Sequence, residues 1–118
     1  MNKVFLYGNI TRDPQIFENK TTVLKFNMAT NERFKSGDDY KERTFFHNVT
    51  VFGGKADFLR TKLQKGMPVV VEGKNTSGSY EDKSGKKIYT YDVNAIDVHI
   101  ITGYKSNSNN EDAEDFDV

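Results

Sequence analysis

Thr44-Phe45-Phe46-His47-Asn48-Val49-Thr50-Val51-Phe52-Gly53 alternates along its whole length. In a strand, successive side chains point to opposite faces, so Phe45, His47, Val49 and Val51 share one face, and Phe46, Asn48, Thr50 and Phe52 the other. The first set suits a core. The second is polar in its middle and aromatic at both ends, which makes a poor core but a good surface for stacking nucleobases. A strand of this kind at the centre of the chain predicts an all-β fold that meets single-stranded nucleic acid.

The rest of the chain supplies more strands. Asn2–Asn9 reads as a first strand, and Asp13-Pro14 as a turn. Over Val23–Asn31, Leu24, Phe26 and Met28 alternate with Lys25, Asn27 and Ala29. Lys35-Ser36-Gly37-Asp38-Asp39 reads as a loop before the Phe45–Phe52 strand. Ala56, Leu59 and Leu63 fall on one face of a helix over Lys55–Gln64, with Phe58 widening that face and Gly66 and Pro68 ending it. Met67–Gly73 is a buried strand that continues through Tyr80 to a polar tip at Glu81–Lys86. Ile88–Val93 returns from the tip, and a further strand near Ala95–Ile101 closes the domain. Several strands with one short helix between the third and fourth describe a five-stranded OB-fold barrel.

The net charge of zero conceals an asymmetry. Residues 105–118 carry one Lys against five acidic residues, a net of −4, while residues 1–104 carry sixteen basic and twelve acidic side chains, a net of +4. A basic body with an acidic tail suits a polyanionic ligand and a tail with a separate task. The stretch Ser106–Asn110 offers nothing apolar to bury, so 105–118 is expected to be a disordered acidic tail behind a single domain over 1–104. No apolar run approaches the roughly 20 residues of a membrane span, and the apolar stretch at the N-terminus is too short for a signal peptide. With no cysteine at all, the expectation is a soluble, cytoplasmic protein without disulfides or thiolate chemistry.

Four stretches together resemble the bacterial-type single-stranded DNA-binding protein family. They are Asn2–Asn9 followed by Asp13-Pro14, Phe26-Asn27-Met28-Ala29-Thr30-Asn31, Thr44–Gly53, and Leu63–Gly73. The resemblance covers roughly residues 1–104 and implies an OB fold that stacks bases on aromatic rings, commonly Trp. This chain has no Trp. At the matching positions it carries Phe34, Phe46, Phe52 and Tyr80. The resemblance also implies a dimer of dimers, with a dimer as the other possibility. The first strand, apolar on both faces through Val4, Phe5, Leu6 and Tyr7, is suited to a subunit boundary.

Two departures from the family pattern stand out. Where relatives carry basic residues before the hairpin ring, this chain has Asn75-Thr76-Ser77-Gly78-Ser79, preceded only by Lys74. The family's tail ends in a Pro-Phe tip that docks on replication and repair proteins. Here the tail ends Glu114-Asp115-Phe116-Asp117-Val118, and with Asp112 these residues are the expected contact for replication or recombination partners. The short spacer before the tail resembles phage or plasmid members, whose proteins act in the host cytoplasm.

The candidate phosphate-binding residues are Lys3, Lys25, Arg33, Lys35, Arg43, Lys74, Lys86 and Lys87, with Lys41 and Lys83 beside them. His47 shares the inward parity of Phe45 and Val49 and is expected to be a hydrogen-bonded core or subunit-contact residue. His99, Asp92 and Asp97 have no metal-ligand spacing, and there is no phosphate-binding Gly-Lys-Ser/Thr loop. No metal, cofactor or enzymatic activity is therefore expected. Single-stranded DNA binding during replication, recombination and repair is the leading expectation. The competing readings are a primosomal-type OB-fold adaptor acting through protein contacts, and a small nuclease.

Overall fold

Alternating apolar side chains become strands in the order in which the chain presents them. The computed structural model describes residues 1–101. Its elements are β1 (Val4–Ile10), β2 (Gln15–Glu18), β3 (Thr22–Ser36), β4 (Asp39–Phe52), α1 (Gly54–Leu59), β5 (Pro68–Glu81) and β6 (Lys87–Ile100). The expected domain boundary at 104 and the acidic tail with its partner residues lie outside the described residues.

The strands run in the order β1-β5-β6-β4-β3-β2, and a β1–β3 pairing closes the ring. β1 pairs with β3 at Asn9↔Ala29 and Ile10↔Met28, and β2 then pairs with β3 from Gln15↔Lys25 to Glu18↔Thr22. β4 occupies the other edge of β3, so β1 and β2 follow one edge in succession, interrupted at Arg12-Asp13-Pro14. The barrel is thus five-stranded, as expected, and β2 is an additional strand that the Asp13-Pro14 turn signal did not predict. A short parallel pairing, Val49↔Val93 and Thr50↔Asn94, joins β4 to β6.

The cluster that fills the barrel is apolar. Leu24, Met28, Val69 and Val71 are fully buried, joined by Ile10, Phe26, Val49, Val51, Val93 and Val98. Where strands approach most closely there is glycine. A Cβ at Gly8 would run into the Ala29 carbonyl, and one at Gly73 into the Asn94 carbonyl.

Several boundaries differ from expectation. The predicted loop at 35–39 is a tight hairpin: β3 and β4 stay paired to Ser36↔Asp39, with Gly37 at φ 65° making the turn. The predicted pair Ile88–Val93 and Ala95–Ile101 is one strand, β6. Its irregularity is a register shift at Glu72/Gly73 that leaves Ile96 unpaired. The helix is shorter than the predicted Lys55–Gln64. Ala56 and Leu59 are buried on it and Leu63 is buried just beyond it, but Phe58 is 64% exposed and does not widen the core face. Its ring instead lies under the Lys62 ammonium, 4.9 Å from the centroid.

Candidate nucleic-acid interface

β3 and β4 outrun the barrel as a long two-stranded arm, and the register assigns each side chain to a face. Opposite one another on the outer face stand Lys35 and Tyr40, Arg33 and Glu42, Asn31 and Thr44, and Ala29 and Phe46. Asn27 and Asn48, Lys25 and Thr50, and Val23 and Phe52 continue the series. Phe46 is 71% and Phe52 52% exposed. They are six residues apart, about 20 Å of extended strand. Thr50 differs from the expected wet face: it is only 7% exposed, because it is paired on both sides, to Lys25 on β3 and to Asn94 on β6.

Two rings absent from the sequence-based candidates join this face. Tyr40, also exposed, lies six residues before Phe46 with the same parity, so Tyr40, Phe46 and Phe52 form one row. Its ring carries the Arg33 guanidinium at 5.4 Å. Phe17 pairs with Val23, which pairs with Phe52, and its exposed ring carries the Lys25 ammonium at 5.8 Å. Extending the Phe46–Phe52 alternation back through the supposed loop finds Tyr40. Phe17 gives no such signal, because β2 has only four residues.

The outer face continues onto β5 and β6. Lys74 pairs with Asn94, which neighbours Thr50, so Lys74 and Lys25 flank one transverse row. Tyr80, 57% exposed, shares the strand face of Lys74 six residues along. At the tip, Asp82 Oδ1 accepts hydrogen bonds from Ser84 N, Ser84 Oγ and Lys86 N at 2.8–2.9 Å. The Ser84 bond is the main reason its carboxyl sits below the ordinary range.

Other candidates lie elsewhere. Phe34, expected to be exposed, is half-buried. It is on the opposite face of the β3–β4 arm from Phe46 and Phe52, beneath the Arg43 guanidinium at 4.4 Å. Lys41 shares that face. Lys3 is tied to Glu72 at 2.6 Å. Lys87 stands over Tyr89 at 5.5 Å, on the opposite face of its arm from Tyr80, and Lys86 and Lys83 sit at the tip. Phe45, expected inward, is 40% exposed, because the arm extends past the core its parity would face. His47 is half-buried, with Nε2 3.0 Å from Thr30 Oγ1, and burial lowers its pKa from the ordinary 6.5.

Between Phe46 and Phe52 the surface is a polar groove. Arg12 Nε donates to Asn27 Oδ1 at 3.0 Å, and Asn27 Nδ2 donates to Asn48 Oδ1. Among the described residues, no group of three or more His, Asp or Glu could hold a metal ion, and no helix is long and apolar enough to cross a membrane.

A closed five-stranded barrel with one helix after β4 and a ring-lined, cation-studded outer face defines an OB-fold protein of the oligonucleotide-binding type. Comparison with known proteins narrows this. The model of the single-strand binding protein family matches residues 1–101, and the chain belongs to that family. It is 34% identical to single-stranded DNA-binding protein 1 of Xylella fastidiosa over 92% of this chain and 82% of that one. It is 33% identical to the corresponding protein of Chlorobaculum tepidum, covering 96% and 72%. Among solved structures, a Thermus aquaticus single-stranded DNA-binding protein mutant superposes with TM-score 0.77 at 26% identity, covering 87% of this chain and 51% of that one. The fold also matches the Plasmodium falciparum SSB solved with ssDNA, with TM-score 0.78 at 23% identity, covering 86% and 95%.

Proposed function

We propose that this chain binds single-stranded DNA with little dependence on sequence, coating exposed strands during replication, recombination and repair. The observation that carries it is the outer-face row of Tyr40, Phe46 and Phe52, with Lys25, Arg33 and Lys35 on the adjacent strand. Rings stack on any base, and cations neutralise the phosphates that link them. Tyr80 and Lys74 extend the track along β5. Phe34 with Arg43, and Lys86 with Lys87, form its margins, reached by a strand that wraps around the arms. Lys3, held by Glu72, contributes least. The protein acts by binding, without catalysis, in the cytoplasm.

Residues 1–104 form the DNA-binding unit. The acidic segment with Asp112, Glu114, Asp115, Phe116 and Asp117 recruits replication or recombination proteins. Self-association as a homodimer or homotetramer is supported by Phe5 and Tyr7, which are 66% and 62% exposed on one face of β1.

Titration of a dT oligonucleotide and of duplex DNA, each with and without Mg²⁺, tests the central claim. Strand-selective binding without cleavage supports it. Equal affinity for duplex refutes it, and Mg²⁺-dependent cleavage makes the protein a nuclease.

A further inference from the structure

The polar groove between Phe46 and Phe52 contains a feature that phosphate binding does not explain. β4 and β6 pair only at Val49↔Val93 and Thr50↔Asn94. Past that point they part, and Asn48 and Asp92 line the cleft between them. Among the described residues the Asp92 carboxylate has neither an ion pair nor a hydrogen bond. A bare carboxylate repels phosphate, yet this one lines the cleft beside the ring of Phe46. It suits a neutral ligand edge that donates hydrogen bonds.

The opposite wall has the complementary polarity, and its orientation follows from chemistry. Arginine can only donate, so the Arg12 bond fixes Asn27 with its oxygen toward Arg12 and its Nδ2 toward Asn48. Asn48 accepts that bond through Oδ1, which leaves its Nδ2 hydrogens for a ligand. Among the described residues the terminal nitrogens of Arg12 are likewise unused. The groove, open to solvent on one side and lined also by Asp13 and Lys25, has a volume of about 270 Å³, near the lower end of the roughly 300–1,000 Å³ of small-ligand sites, room for one base.

The geometry points to a base-reading subsite that prefers guanine, built from Asp92, Asn48 and Arg12 within an otherwise base-tolerant track. Guanine alone offers two adjacent donors, N1–H and N2–H, to one carboxylate. It also presents the acceptors O6 and N7, which Arg and amide donors recognise. Thymine offers a single N–H between two carbonyls, and cytosine and adenine a single amino group. The inference rests on the single-stranded DNA binding proposed above.

The test uses full-length protein and dT oligonucleotides of about 12 nucleotides, within one OB-fold footprint. Each carries one central dG, dA, dC or deoxyinosine. Affinities are compared as ratios to the all-dT strand, so general changes in affinity cancel. The dG strand is expected to bind several-fold tighter, up to about tenfold. Deoxyinosine, which lacks N2–H, loses most of that advantage. Asp92→Ala and Asn48→Ala each bring the dG ratio toward one, with circular dichroism confirming that both fold. Normal dT binding with a dG ratio of one overturns the subsite and leaves DNA binding standing. So does an Asp92→Ala protein that keeps the full preference. Failure to bind any strand overturns both.

Discussion

Phe46 and Phe52 are exposed and stand in one strand-face row with Tyr40, and it is such an arrangement, not a single exposed ring, that marks an interaction surface. If they are stacking rings, Phe46→Ala and Phe52→Ala each cost about 1–3 kcal/mol of single-strand affinity. Stability falls by less than the roughly 3–5 kcal/mol of a buried Phe. Oligonucleotide titration beside urea unfolding separates the two effects. Tyr40→Ala behaves in the same way and also frees Arg33. His47 makes a different prediction. Burial favours its neutral form in the fold, so below the ordinary value of 6.5 the unfolded chain binds the extra proton more readily and stability drops. Unfolding midpoints are expected to fall between about pH 8 and about pH 5. His47→Gln removes the His47 contribution and flattens the profile. An unchanged slope in that variant assigns the titration elsewhere. Parity alone revealed Phe46, Phe52, Val49 and Val51. It could not reveal Phe34's cover, because Arg43 reaches that ring across the strand pair and from nine residues away in sequence.

Strand identity was legible where apolar alternation runs, over Val23–Asn31 of β3 and Phe45–Phe52 of β4, and where short apolar runs such as Val4–Tyr7 and Val69–Val71 mark β1 and β5, whereas strand ends were not. Lys35–Asp39 has a loop's composition, yet its backbone hydrogen bonds continue to the Gly37 turn, and polar composition does not distinguish a solvated two-stranded arm from a loop. β2 escaped notice for a similar reason: four residues carry too little periodicity to register. The helix was legible in its buried face and not in its length, since Leu63 keeps the helical spacing after the helix has ended. The element most sensitive to a single atom is the β1–β3 seam. Gly8→Ala places a methyl group against the Ala29 carbonyl, where backbone and not a movable side chain must yield. A loss of about 1–3 kcal/mol or more is expected, read as a lower urea midpoint. Gly54→Ala, which meets nothing within 4 Å, serves as the control and leaves the midpoint near that of the parent.

At the scale of the whole molecule, charge separation is the property that composition conceals. Affinity should fall linearly in log–log form with salt, with a slope of about −0.7 per phosphate neutralised on single strands. The neutral stretch Asn75–Ser79 sets fewer such contacts along β5 than a basic one would. The acidic segment 105–118, with a net of −4, has the sign of DNA and the body has the opposite sign, so segment and strand are expected to compete for one face. The barrel's last strand ends at Ile100, and truncation after Tyr104 removes no part of it. The shortened protein is expected to unfold at the same urea concentration and to bind dT oligonucleotides more tightly. The gain is largest at low salt, where the Debye length is long, and shrinks as screening sets in. Isotherms of both lengths at about 0.01 M and about 0.15 M ionic strength decide the matter. Coincident curves at both salts mean that the acidic segment does not contest the DNA face. A gap that persists undiminished at the higher salt assigns its effect to something other than charge.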